Sequence, residues 1–226
     1  MQENIVIGIE GLVGSGKTSI CIELLDKIPN SVVLHGGNIY RAIVYAVLST
    51  GVKLEELEEL MKNVDVKEII DRFNIEVKVK NRQTCVYVNG SLINEEELQS
   101  EKNSMAVSIA SNKANNNNAF EFVRNLVDEL KEKYNVIFSG RALMQIYPKL
   151  NYHFLIIADL DERVNRKYNQ YKGKLSKEKL KEHICKRDKL QEASGFYKKY
   201  DNTIVLDVTD CKNVKESTEK LLKELT

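Results

Sequence analysis

Residues 11–18 read GLVGSGKT and match the spacing G-x-x-x-x-G-K-[ST] at every fixed position. Gly11, Gly14 and Gly16 let the chain curl with its N–H groups inward, and a helix starting near Lys17 adds its positive N-terminal end. Such a nest suits polyphosphate. Gly11, Val13, Gly14, Ser15, Gly16, Lys17, Thr18 and Ser19 are the predicted nucleotide-binding residues. Lys17 would reach the β- and γ-phosphates, and Thr18 would offer its hydroxyl to Mg²⁺.

A loop of this kind works only between a strand and a helix, and both neighbours are legible. Residues 4–9 (NIVIGI) are apolar and β-branched, as a buried strand would be, and residues 19–25 carry apolar positions at helical spacing. Further buried strands are predicted at 31–35, 135–139, 152–157 and 203–207, with helical patterns between them. Alternation of this sort predicts a three-layer α/β/α fold on a five-stranded parallel sheet. Ligands of open parallel sheets lie beyond the carboxyl ends of the strands. The segment from His35 to Arg41 and the turn at Gly140 and Arg141 are therefore predicted to face the same crevice as the glycine loop. Arg41 becomes a candidate clamp for a substrate anion.

Between these strands, residues 42–71 read as helical. Residues 73–80 then alternate apolar and charged, 81–84 turn the chain, and 85–88 return as a strand. This predicts a small antiparallel β insert. Residues 94–113 and 119–133 read as two helices, with the asparagine run 115–118 as a loop between them. The stretch 168–176, polar and rich in lysine and tyrosine, has the composition of a movable flap, and 180–190 and 213–225 are further helices. His153 falls inside a strand pattern, where a packed histidine is the simpler reading.

Composition removes other classes. Lys plus Arg number 34 against 33 Asp plus Glu, so there is no global basic field to draw the chain onto nucleic acid. The four cysteines form no C-x-x-C pair and are expected as reduced thiols. No signal-peptide core and no apolar run near the length of a membrane span is present, and a cytoplasmic protein is expected.

With these segments in place the chain resembles the bacterial cytidylate kinase family nearly end to end, as a divergent member of the P-loop nucleoside monophosphate kinases. GLVGSGKT is similar to that family's phosphate loop, and residues 37–42 (GNIYRA) to its G-x-x-Y-R-A segment. VYVNG at 86–90 resembles a strand of its monophosphate-binding insert, and Val107 to Ser111 with Arg124 its base-holding helices. Ser139-Gly140-Arg141 is similar to its G-R-D turn, residues 161–167 (DERVNRK) to the start of its lid, and Lys186-Arg187-Asp188 to the R-D after it.

The resemblance implies ATP-dependent phosphoryl transfer to a nucleoside monophosphate, CMP or dCMP first among them, with Mg²⁺. It implies that Lys17, Arg163 and Arg166 hold the transferred group, and that Gly37, Tyr40, Arg41, Ser111, Arg124, Arg141 and Arg187 bind the acceptor. One kinase domain over 1–226 follows, with core 1–64 and 119–226, an insert at about 65–118 and a helical lid at about 168–184; a monomer is expected. Departures lie at the positions that read base and sugar. Ala142 stands where the family has Asp, His35 and Gly36 where it has Asp and Ser or Thr, and Gln191 and Ser194 where it has Asp and Arg. The phosphate-handling residues match better than the base-reading ones.

Besides a kinase of the same fold whose acceptor is some other phosphorylated metabolite, two rivals accompany this reading. The opening IEGLVGSGKT also resembles the deoxynucleoside kinases, but those carry a tryptophan in the base site and this chain has none. A non-catalytic nucleotide switch is the other, and the chain lacks the N-K-x-D guanine motif that a GTPase would need.

Overall fold

The computed structural model describes residues 4–111 and 117–225. Among them, β1 (Val6–Gly11) passes through the glycine loop to α1 (Lys17–Leu24), and β2 (Ser31–His35) is followed by α2 (Gly36–Leu48), α3 (Leu54–Asn63) and α4 (Val66–Arg72). An antiparallel unit of β3 (Glu76–Lys80), β4 (Gln83–Val88) and β5 (Ser91–Leu92) comes next, then α5 (Glu95–Leu98), α6 (Glu101–Ser111) and α7 (Asn117–Lys131). The chain continues through β6 (Asn135–Ser139), α8 (Leu143–Ile146), β7 (Tyr152–Ile157), α9 (Leu160–Gln170) and α10 (Lys177–Ala193) to β8 (Thr203–Asp207) and α11 (Val214–Leu222).

The sheet order is β3-β4-β2-β6-β1-β7-β8, with β5 beside β4. From β2 to β8 the five strands are parallel, each pair joined in continuous register. Side chains on successive residues divide between two cores. In β2, Val32 and Leu34 join the core under α2, α3 and α7, while Val33 joins the one under α1 and α11. The same alternation puts Val136 and Phe138 of β6 on one side and Ile137 on the other. Being buried on both faces, these strands read as unbroken apolar runs.

The insert is not a separate sheet. Val33 pairs with Gln83 in parallel, so β4 extends the central sheet from its β2 edge. The reason lies in the turn: Asn81 and Arg82 both have positive φ, 50° and 61°, as a two-residue hairpin turn requires. Arg82 then donates from Nε to the Ser31 carbonyl at 3.2 Å and from Nη2 to Ser31 Oγ at 3.0 Å. A polar clasp therefore holds the hairpin to the core, where apolar patterning alone predicted only its strands.

Other boundaries also move. Residues 42–71 are three helices, divided at Gly51 (φ 90°) and at Asp65, which caps α4 by accepting from the Lys67 N–H at 2.8 Å. In the predicted asparagine loop, Asn115 and Asn116 lie outside the described residues, whereas α7 begins at Asn117. Of the predicted flap only residues 168–170 are helical: α9 runs to Gln170 and α10 starts at Lys177, and residues 171–176 turn between them. No helix among the described residues is long and apolar enough to cross a membrane.

Candidate active site

At the carboxyl ends of the parallel strands lies a cleft of about 1400 Å³. The glycine loop forms one wall. Gly14 and Gly16 take φ of 83° and 92°, a region that residues with a Cβ rarely enter. At Gly11 an added Cβ would lie 2.9 Å from the Ile156 carbonyl oxygen, so only glycine lets the loop close onto β7. The first turn of α1 has no acidic residue and no side-chain cap, which leaves its N–H groups free for an anion. Ser15 Oγ is buried without a hydrogen-bond partner in the same cradle. Thr18 and Ser19 are exposed at its lip.

Lys17 reaches across to β6, where its Nζ lies 3.1 Å from Ser139 Oγ. Burial, with the charges of Arg141 and Arg41, lowers its pKa to about 8. A cation held in this way gains strongly from a phosphate beside it.

Arg41 from α2, Arg141 from the β6–α8 turn and Arg187 from α10 also line the cleft. They are close enough to act on one another. Burial first, then the Arg141 and Arg187 charges, lower the pKa of Arg41 to about 10. Burial and Arg141 lower that of Arg187. Arg41 Nε, Arg187 Nε and Tyr40 Oη are buried and have no hydrogen-bond partner. Guanidinium forks gathered with no carboxylate in ion-pair contact among the described residues are an anion site by their chemistry. Gly37 keeps room for it, because a Cβ there would lie 3.2 Å from Arg41 Nη1.

The lid meets the loop through a clasp that the sequence pattern did not reveal. Arg163 was expected at the transferred phosphoryl group, but it lies under the loop, 7% exposed, and does not line the cleft. Its Nη1 donates to the Val13 carbonyl at 3.2 Å and to Asp188 Oδ2 at 2.5 Å, and its Nε to the Ala158 carbonyl at 2.9 Å. Asp188 Oδ1 accepts from the Val13 N–H at 3.4 Å. The Val13 side chain packs against Val164, Leu180 and Ile184, so this loop position anchors the lid as well as shaping the cradle. Arg166 does face the cleft; its Nη1 donates to the Ser15 carbonyl at 3.0 Å, and Glu162 Oε1 accepts from its Nε at 2.8 Å.

The far end is where the predicted residues disperse. Arg124 does not line the cleft; its Nε donates to the Ile146 carbonyl at 2.9 Å. Its helix presents Ala119, Phe120 and Val123 to the cleft instead. Ser111 is the last residue of α6, and its side chain lies outside the described residues. Ala142 lines the cleft with φ 55°. His35 Nε2 pairs with Gln83 Oε1 at 3.1 Å, between β2 and the insert. Gly36 has a steric cause: an added Cβ would lie 2.8 Å from Cε2 of the fully buried Phe138. Gln191 and Ser194 are taken up at the end of α10, by Tyr197 Oη and the Leu190 carbonyl respectively.

Two parts of the cleft went unpredicted. Lys167 lines it beside Arg187 and Arg41, and burial with those charges lowers its pKa. It follows Arg163 by four residues, a helical spacing that could have singled it out. Residues 211–213, between β8 and α11, and Val214, which opens α11, form another part of the wall. They lie past the carboxyl end of a parallel strand, the same signal that pointed to His35 and Arg141.

The chain is similar to known proteins over almost its whole length. The family model described as cytidylate kinase matches residues 7–226. The cytidylate kinase of Bacillus thuringiensis (strain Al Hakam) is 30% identical over 229 residues, covering 98% of this chain and 96% of its own. The same figures hold for the cytidylate kinase of Bacillus cereus (strain AH187). Among solved structures, that of TT1252 from Thermus thermophilus covers 99% of this chain and 97% of its own at 20% identity, with a TM-score of 0.45.

Proposed function

Because the chain belongs to the cytidylate kinase family, and is thereby a nucleoside monophosphate kinase, we propose that it transfers the γ-phosphoryl group of ATP to CMP or dCMP, giving CDP or dCDP. The observation that carries this reading is the gathering of Arg41, Arg141 and Arg187 in one cleft with Lys17 and the glycine loop. Two anions meet end to end there.

Phosphoryl transfer has a loose, charge-rich transition state, so the protein's work is alignment and neutralisation. In our reading the loop N–H groups hold the donor phosphates, and Lys17 bridges β and γ. Arg41, Arg141 and Arg187 grip the acceptor phosphate, while Arg166 and Lys167 face the group in transit. Arg163 acts at one remove, keeping the Val13 peptide in place. Closure of the lid, about residues 168–184, excludes water that would otherwise take the phosphoryl group. The donor chemistry fits Mg²⁺: the exposed Thr18 hydroxyl is a hard oxygen ligand, and this ion is commonly held by few protein ligands together with substrate phosphates. Bound there, it would supply neutralisation of the donor's negative charge.

We read residues 1–226 as one kinase domain, with core 1–64 and 119–226 and insert 65–118, acting as a cytoplasmic monomer. Coupled ADP release against CMP, dCMP, UMP, AMP and GMP tests the assignment. Turnover with CMP or dCMP is the expected result. Turnover with none of the five would overturn it, and turnover with another alone would move the assignment to that acceptor. The second reading, a kinase of this fold with a different phosphorylated acceptor, draws on Ala142 and the turned-away Arg124 at the far end of the cleft.

A further inference from the structure

Glu10 is 2% exposed, immediately precedes Gly11, and does not line the cleft, although its charge reaches Lys17. It shares a face of β1 with Gly8, whose missing side chain leaves room for Leu150 and Leu143 against the strand. Glu10 Oε1 accepts a hydrogen bond from the Leu143 N–H at 2.6 Å. Leu143 opens α8. The preceding residue, Ala142, is left-handed and has no side-chain acceptor, so α8 lacks a cap of its own. One residue further back is Arg141.

The carboxylate is held from behind as well. His153 Nε2 lies 3.4 Å from Glu10 Oε1, and His153 Nδ1 lies 2.9 Å from Thr203 Oγ1. That oxygen already accepts the Tyr200 N–H at 2.8 Å. Its proton is then available to Nδ1, and the imidazole presents Nε2–H to Glu10. A polar chain thus crosses β8, β7 and β1 and ends on the turn that carries Arg141. The packed histidine of the sequence reading has a task in it.

We propose that Glu10 is a positioning residue: by capping α8 from the strand that leads into the phosphate loop, it sets Arg141 against that loop and keeps donor and acceptor sites in register. The proposal rests on the kinase reading above for its substrates, but its geometry stands without them. What matters is the reach of the carboxyl oxygen rather than its charge.

Two substitutions separate reach from charge. Glu10→Gln keeps an oxygen at the same distance and loses the charge; Glu10→Asp keeps the charge and withdraws the oxygen by one methylene. With ATP and CMP varied separately, Glu10→Asp should raise the KM for CMP about tenfold or more and leave the KM for ATP within about twofold, because a small misplacement of a positioned group is costly. Glu10→Gln should keep the KM for CMP within about threefold of the parent. Equal changes in both KM values for Glu10→Asp, or a larger acceptor defect in Glu10→Gln than in Glu10→Asp, would overturn the proposal. Hydrogen exchange at the Leu143 amide reads the same contact without substrate: protection in the parent and Glu10→Gln, and its loss in Glu10→Asp, is expected. Equal protection in all three would sink the idea whatever the parent enzyme phosphorylates, so its failure is distinct from failure of the kinase assignment.

Discussion

Lys17 Nζ lies 3.1 Å from Ser139 Oγ, which joins the first residue of α1 to the last residue of β6 across the floor of the cleft. The half-buried lysine thus has a neutral partner, with Arg141 and Arg41 nearby, and desolvation with those charges lowers its pKa to about 8. A bound polyphosphate reverses the balance, because an opposite charge favours the protonated form. The nucleotide complex then holds a proton that the empty enzyme has begun to lose above pH 8. Affinity for ATP should accordingly fall as pH rises through that value, approaching about tenfold per pH unit well above it. Calorimetric titration in buffers of different ionisation enthalpy should show proton uptake on binding there. An affinity flat from about pH 7 to about pH 9.5 would contradict the linkage.

Arg163 and Asp188 make the second prediction. Their side chains are only 8% and 20% exposed, and Asp188→Asn would leave a buried guanidinium without its counter-charge. A loss of about 3 kcal/mol is expected, read from denaturant unfolding. Since the same pair grips the Val13 peptide, the KM for ATP should rise more than that for the acceptor. A variant with parental stability and parental KM for ATP would deny the clasp its role.

Ala142 carries the third. An alanine at φ 55° is strained by about 1 kcal/mol, a conformation that aspartate tolerates better. Ala142→Asp should fold at least as well as the parent and favour CMP over UMP, because its carboxylate can accept from the cytosine amino group. An unchanged CMP to UMP ratio in kcat/KM would mean that the base is read elsewhere in the cleft.

The glycine loop, the five parallel strands and the placing of Arg41 and Arg141 in the cleft were legible because each depends on local spacing, whereas Arg187 came from the resemblance alone. The loop needs glycine where φ is positive, a buried strand needs an apolar run, and a strand's carboxyl end points at the cleft. Arg163 and Arg124 were not legible in the same way, since a guanidinium within a matching motif can turn toward a carbonyl as readily as toward a ligand. Choosing between these needs contacts with Asp188 and Ile146, which are 25 and 22 residues distant in the chain. Glu10 was hidden for the same reason: its partner, Leu143, is 133 residues away.

In the cleft Arg41, Arg187 and Lys167 stand against one another's charge, a tension that negative charge offsets. Any small oxyanion relieves that tension and binds the native form alone. Inorganic phosphate or sulfate would then act as both protectant and competitor, raising the melting temperature while masking affinity for the acceptor. The choice of buffer is thus a variable of the enzyme itself, and assays run in phosphate and in chloride would describe two differently occupied proteins.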